Sequence, residues 1–151
     1  MSKKLSFMNI LVSTNNRLKK LSSLDFLALF FIRVYLFFVF WTAGTSKVED
    51  IDKFSRWLDS VNVPLAEFMA WCVVIAEAGG AVLLLVGLFV RWATIPMLVT
   101  MGVVIFLVHW ENGWTREANG IEMAVTYSIM LLILQFSGGG KYLSLDYWVS
   151  R

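Results

Sequence analysis

Four long apolar runs, almost free of charged residues, constrain this chain more than any other feature. They cover residues 26–46, 68–90, 92–108 and 123–140. Arg33 is the only charged residue of the first run, Glu77 is the only one of the second, and the other two have none. Each run is close to the ~20 residues with which a helix crosses a ~30 Å hydrocarbon layer. None alternates with a period of two, so each predicts a helix rather than a barrel strand.

The composition agrees with these runs. Hydrophobic residues make up 58% of the 151 residues and charged residues 16%, against about 45–50% and about 25% in soluble domains. We therefore predict an all-α integral membrane protein, a four-helix bundle. A soluble enzyme and a disordered chain are both disfavoured. The net charge of +2 includes no basic stripe, so no nucleic-acid partner is expected, and the single Cys72 cannot form an internal disulfide.

The distribution of Lys and Arg predicts the orientation. Eight lie in the N-terminal segment, the turn between runs two and three, and the tail, whereas four lie in the other two loops, which also carry most of the acidic residues. By the positive-inside rule both termini face the cytoplasm of a bacterial inner membrane. Residues 1–24 are expected to form a basic cytoplasmic segment with an interfacial helix, residues 25–146 the membrane domain, and residues 147–151 a tail.

The loop between the first two runs has apolar residues at helical spacing. Phe54, Trp57, Leu58 and Val61 alternate with charged side chains. This pattern predicts a short amphipathic helix at the outer membrane surface, ending before Pro64.

Arg33 and Glu77 are the charged residues expected inside the bilayer, where a charge is costly and is usually paired. With both termini inside, their depths match closely enough for a salt bridge. One interpretation is that the pair only fixes how the first two helices dock. The other is that Glu77 is a proton-linked or ligand-binding carboxylate in a central cavity, with Arg33 as a tuning charge. Both can hold at once.

A second polar set is expected at the outer ends of the helices. Lys47 ends the first helix, His109 and Glu111 end the third, and Glu122 begins the fourth. His109 is the only histidine and stands beside Trp110, so it is either an interfacial anchor or a proton donor and acceptor for a ligand, with Glu122 as its partner. A metal site is not indicated, because no ligand spacing is recognisable.

Small residues surround Glu77. Ala76, Ala78, Gly79 and Gly80 let another helix approach closely. One interpretation is that they serve helix packing, and the other is that the same stretch leaves space for a planar ligand.

The order of these residues resembles the DoxX family of small bacterial four-helix membrane proteins. The resemblance extends from Arg33 to Asp146. The segments that carry it are Arg33, Trp41-Thr-Ala-Gly-Thr-Ser-Lys47, Ala76-Glu-Ala-Gly-Gly80, Leu85-Val-Gly-Leu-Phe-Val-Arg91, His109, Asn119-Gly-Ile-Glu122 and Gly138-Gly-Gly-Lys-Tyr-Leu-Ser-Leu-Asp146.

The resemblance implies quinone-linked redox chemistry in the membrane, since the family takes its name from a thiosulfate:quinone oxidoreductase subunit. On this hypothesis Glu77 and His109 are catalytic residues. The family's other polar positions, Arg33, Lys47, Arg91, Glu122 and Asp146, are ligand-binding residues. Quinone is the expected cofactor, and no haem, flavin or iron–sulfur ligation is recognisable.

The expected partners are membrane lipids, a redox partner subunit and further copies of the chain. The alternative hypothesis is a non-catalytic membrane scaffold that docks a partner through its outer loops. A small transporter is disfavoured, because four helices leave little room for alternating access.

Overall fold

The computed structural model describes residues 25–151. Within this part of the chain all regular structure is helical, as the all-α prediction requires. The interfacial helix predicted within residues 1–24 lies outside the described residues.

Three of the helices are long and apolar enough to cross a membrane: α1, α3 and α4. The fourth predicted span is the shorter apolar helix α5, with 16 residues. The helices in chain order are α1 (Asp25–Glu49), α2 (Ile51–Ser60), α3 (Ala66–Val86), α4 (Val90–Asn112), α5 (Glu122–Ser137) and α6 (Leu145–Val149).

The boundary between α3 and α4 corrects the predicted limits of the second and third runs. Helix α3 ends at Val86, and Gly87 takes a left-handed conformation with φ 69°. Phe89 is also left-handed, with φ 49°, and α4 begins at Val90. The chain therefore turns within a stretch of apolar residues. Hydropathy alone does not detect such a turn, because Leu88 and Phe89 are as apolar as the helices on either side.

The helices pack side by side. Helix α1 packs along α3, α3 packs against α4, α4 packs extensively against α5, and α5 returns to α1. The buried positions follow the helical period, which places one face of each helix in the interior. In α1 they are Arg33, Leu36, Phe40 and Gly44, and in α4 they are Val90, Ala93, Thr94, Met97, Thr100 and Met101.

Large apolar side chains point outward all around the long helices. Phe31 is 64% exposed, Ile75 67% and Val99 64%. Exposed apolar surface of this extent is costly in water and natural in lipid. Together with the length and hydropathy of the helices, it identifies a membrane protein.

Helix α2 is amphipathic, as the loop pattern predicts. Leu58 is buried, while Asp52, Lys53 and Arg56 are exposed. The side chain of Asp50 accepts a hydrogen bond from the backbone of Lys53 and caps the helix. Because α2 packs mainly on the first part of α3, it covers the end of the molecule at which α1 ends. We call this the Lys47 end and the opposite one the Arg33 end.

Candidate functional site

The carboxylate of Glu77 is buried and forms an ion pair with Lys47. Glu77 Oε2 lies 2.6 Å from Lys47 Nζ, and the two side chains are 2% and 23% exposed. Lys47 Nζ also donates to the carbonyl of Ala43 and lies 5.5 Å from the ring centre of Phe54 on α2. A buried carboxylate is tolerated only with such a partner. The pair thus connects α1 to the middle of α3.

Helix α3 presents Glu77 through a π-helical segment. Residues Ile75–Gly79 form this wider turn, with Glu77 at its centre. A second π-helical segment, Val104–His109, lies in α4 and ends at the only histidine. Single π-helical turns of this kind are rare in proteins, and many of those that do occur lie at functional sites. Both segments contribute side chains to one cavity.

The cavity lies at the Lys47 end between α1, α4 and α5 and has a volume of about 240 Å³. Its wall combines polar groups with apolar and aromatic side chains. The polar lining residues are Lys47, Glu77, His109, Arg116, Asn119 and Tyr127, and the apolar ones include Val39, Phe40, Met101, Val104 and Met123. Three residues predicted as site residues, Lys47, Glu77 and His109, are therefore brought together here.

His109 lines this wall, and one of its ring nitrogens is unpaired. Its Nδ1 is buried and has no hydrogen-bond partner among residues 25–151. An unsatisfied buried ring nitrogen costs about 1–3 kcal/mol. A ligand that formed a hydrogen bond with Nδ1 would remove this cost.

A short loop of residues 113–121 closes the cavity. Backbone hydrogen bonds join Ile121 to Gly113 and Gly120 to Thr115. The carboxylate of Glu122 accepts a bond of 3.0 Å from the backbone N–H of Arg116. In one of the two interpretations of His109, Glu122 is its partner. In the structure the Glu122 carboxylate is instead bonded to the loop backbone.

Arg33 and Glu77 do not form the predicted pair. Arg33 and Lys47 are 14 residues apart on α1, or about 21 Å along the axis, and Glu77 pairs with Lys47. The predicted depths assumed that the start of the first helix and the end of the second lie at the same level. In the structure α3 ends at Val86 and the turn after it lies beside Arg33 rather than at the start of α1, so the two ends are offset.

Arg33 is fully buried at its own end of the bundle. Its Nη2 donates to the carbonyl of Leu143, and Gly87 approaches so closely that a Cβ there would clash with Arg33 Nη1. The hydroxyl of Ser144 donates to the carbonyl of Gly87 over 2.7 Å. Arg33 therefore holds the segment after α5 against the α3–α4 turn.

Asp146 and Arg91 also belong to this end. The carboxylate of Asp146 accepts hydrogen bonds from the backbone N–H groups of Phe89 and Val90, at 2.7 and 3.1 Å, and so caps α4. Arg91 Nη2 donates to the carbonyl of Phe136. Both side chains line a second cavity of about 520 Å³. Arg33, Arg91 and Asp146 thus lie apart from the cavity that contains Glu77.

Sequence reasoning does not identify Arg116, Asn119 and Tyr127 as lining residues, nor the two π-helical segments. In the sequence Arg116 is a loop charge, and Asn119 is part of the family resemblance. The sequence has no pattern that predicts a π-turn, because the surrounding residues are ordinary helix formers. Within residues 25–151 no group of three His, Cys, Asp or Glu side chains could hold a metal.

Fold and site together define a helical membrane protein with a partly polar cavity at one end. The DoxX family model matches residues 28–110, which is more than half of the chain. The chain belongs to the DoxX family.

Two curated relatives, both from Haemophilus influenzae and both described only as uncharacterized proteins, resemble the chain over most of its length. One is 31% identical over 113 residues, 73% of this chain and 82% of the relative. The other is 27% identical over 128 residues, 82% of this chain and 84% of the relative. No solved structure matches the chain.

Proposed function

We propose that the cavity at the Lys47 end binds the headgroup of a membrane quinone or a related isoprenoid lipid, within a membrane redox system. The supporting observation is that the ion pair of Lys47 with the buried Glu77 and the side chain of His109 line one cavity, and that His109 Nδ1 is buried without a hydrogen-bond partner among residues 25–151. Buried polar groups that converge on a mostly apolar pocket are typical of small-molecule sites.

The cavity fits a headgroup rather than a whole ligand. Its 240 Å³ is less than the about 300–1,000 Å³ of typical ligand pockets. One substituted ring fills such a space, and an isoprenoid tail would continue into the lipid around the helices. Phe40 and Tyr127 supply aromatic surface next to the polar groups.

Each polar residue has a distinct role in this proposal. A bound quinone supplies the capacity to take up two electrons and two protons. The Lys47–Glu77 ion pair at the cavity wall would donate a proton to the bound ring. His109 Nδ1, which lacks a partner among residues 25–151, would donate a hydrogen bond to a ring oxygen when it carries the ring proton. The electrons come from a redox partner subunit, which the outer loops would contact.

The proposal places the protein in the bacterial inner membrane with both termini in the cytoplasm. Helix α5 then forms the fourth span. Its 16 residues extend about 24 Å, slightly less than the hydrocarbon layer of about 30 Å, and the exposed Phe136 at its end lies at the boundary. The amphipathic α2 would rest on the outer surface above Lys47.

Lipids that co-purify with the protein test this function. The full chain is purified in mild detergent and extracted, and bound quinone is quantified by mass spectrometry for wild type, Glu77→Gln and His109→Phe. The matched control is Glu67→Gln, because Glu67 is an exposed glutamate on the same helix that does not line the cavity. We expect stoichiometric quinone in wild type and control and a loss of at least tenfold in both cavity variants.

A misfolded variant would also lose bound quinone. The double variant Lys47→Met/Glu77→Gln controls for misfolding, because it removes both charges and leaves neither of them buried without a partner. Equal quinone in all folded variants would overturn the proposal.

The second candidate is a membrane scaffold. It is favoured by the exposed acidic side chains at the Lys47 end, among them Asp52, Asp59, Glu111 and Glu117, which form a surface for a basic partner. In that case the Lys47–Glu77 pair only joins α1 to α3. Glu77→Gln would then lower stability, and no specific lipid would be found in any variant.

A further inference from the structure

Arg116 brings a positive charge to the cavity that no salt bridge neutralises. It lines the wall, and within residues 25–151 the one ion pair is Lys47–Glu77. The two charges of that pair cancel. Neither Glu117 nor Glu122, whose carboxylate accepts a hydrogen bond from the Arg116 backbone N–H, lines the cavity. The charged lining is therefore positive overall.

The loop holds Arg116 in a fixed place. Asn119 is left-handed, with φ 58°, and its carbonyl accepts a bond of 3.1 Å from Asn112 Nδ2. Gly120 is buried so tightly that a Cβ there would lie 2.8 Å from the backbone carbon of Trp114. With the backbone bonds across the loop, these contacts order the residues on both sides of Arg116. An ordered site loses little entropy when a ligand binds.

Two tryptophans mark the depth of this loop. Trp110 and Trp114 are each 58% exposed, on the two sides of the turn that leaves α4. Exposed tryptophans of membrane proteins gather at the level of the lipid headgroups. Arg116 follows Trp114 by two residues, so we expect it close to the level of lipid phosphates and carboxylates. Its planar group of donors suits these oxyanions.

We infer that Arg116 is the residue that selects a lipid with an anionic headgroup at the mouth of this cavity. The oxyanion is either the phosphate of an acidic phospholipid or the carboxylate of a fatty acid. Asn119 lies beside it on the same wall. This inference requires that the cavity open to lipid, but it does not require that a quinone bind at Glu77.

Competitive retention of defined lipids tests the inference. The full chain is reconstituted in phosphatidylcholine vesicles in which about one lipid in five is either phosphatidylglycerol or oleate. This amount provides more than one anionic lipid per protein. It is then extracted in mild detergent, and the retained lipids are measured by native mass spectrometry. The variants are Arg116→Gln and Arg116→Lys. The control is Arg56→Gln, which removes an exposed arginine of α2 outside the cavity.

We expect Arg116→Gln to reduce the retained anionic lipid by about tenfold, which corresponds to about 1.4 kcal/mol. Arg116→Lys should reduce it less, and Arg56→Gln should leave it unchanged. A loss confined to phosphatidylglycerol identifies the phosphate, and one confined to oleate identifies the carboxylate. An equal loss in Arg116→Gln and Arg56→Gln, or an equal loss of phosphatidylcholine, would overturn the inference.

Glu77→Gln in the same samples separates this inference from the proposed function. If quinone is lost in Glu77→Gln while anionic lipid is unchanged in Arg116→Gln, the quinone site stands and the inference fails. If anionic lipid is lost in Arg116→Gln while quinone is unchanged in Glu77→Gln, the inference stands and the quinone site fails. Melting temperatures close to that of wild type confirm that each variant is folded. If Arg116→Gln is not folded, Arg116→Lys still tests the inference.

Discussion

Lys47 near the end of α1 and Glu77 in the middle of α3 form an ion pair across 2.6 Å, and the carboxylate is almost fully buried. The pair closes one side of a cavity whose other side carries His109 and Arg116. It therefore has a structural role in joining two helices, and it leaves a charged group at the wall of a ligand-sized space. The contribution of this pair to stability and its contribution to ligand binding can be measured separately.

Removing one partner of this pair should lower the free energy of unfolding more than removing both partners. Glu77→Gln leaves the Lys47 ammonium unpaired, and Lys47→Met leaves the carboxylate unpaired. We expect each to lower the free energy of unfolding by about 3 kcal/mol, at the low end for a buried pair because Lys47 is 23% exposed. The double variant should recover part of this loss. Unfolding by SDS titration measures the cycle, and strictly additive losses would show that the pair is not coupled.

Gly87 should not tolerate a side chain. Gly87→Ala adds a Cβ that clashes with Arg33 and Ser144 at a residue with φ 69°, so we expect a loss of about 2 kcal/mol or more. The control is Gly102→Ala, because nothing lies within 4 Å of a Cβ there. Within helix α4 this change should be neutral or stabilise by about 0.5–1 kcal/mol. The melting temperatures in detergent should therefore move in opposite directions, and equal shifts would contradict this account.

Asp146 should stabilise the start of α4. Asp146→Ala removes the acceptor of two backbone N–H groups, those of Phe89 and Val90, and we expect a cost of about 1–2 kcal/mol. Hydrogen exchange should become faster at these two amides. The control Asp59→Ala changes an exposed carboxylate in the last turn of α2, where no such cap exists. Unchanged exchange at Phe89 and Val90 would show that the cap contributes nothing.

The proposed orientation predicts which cysteines a membrane-impermeant maleimide labels. Cys72 is exposed, so the background variant is Cys72→Ala. In intact spheroplasts, Ser60→Cys at the end of α2 should react, whereas Ser150→Cys after α6 should react only after the membrane is permeabilised. The positive-inside distribution of Lys and Arg is the reason. The reverse pattern of labelling would place the cavity on the cytoplasmic side.

Much of the fold follows from the sequence. The apolar runs are long enough to predict helices at α1, α3 and α4, and the spacing of Phe54, Trp57 and Leu58 predicts α2. Lys47, Glu77 and His109 stand out because charged and ionisable groups are costly near lipid. These predictions depend on local composition and period, which the sequence contains directly.

The pairing of the charges was decided by the tertiary structure. Arg33 and Glu77 match in depth only if the start of α1 and the end of α3 lie at the same level of the membrane. In the structure the α3–α4 turn at Gly87 lies beside Arg33 instead, so Glu77, further along α3 from this turn, meets Lys47. Which polar residue a buried charge meets depends on how far one helix is shifted along its axis relative to its neighbour. The hydropathy of the sequence does not contain that shift.

The cavity, like the pairing of the charges, was decided by the tertiary structure. Its wall joins α1, the π-helical segments of α3 and α4, a loop that carries Arg116, and α5, from positions as far apart in the sequence as Val39 and Tyr127. The sequence determined that the helices form in a membrane and which groups need partners there. Which groups meet was settled by packing, because close contact between distant segments depends on where each helix ends and how it is turned about its axis.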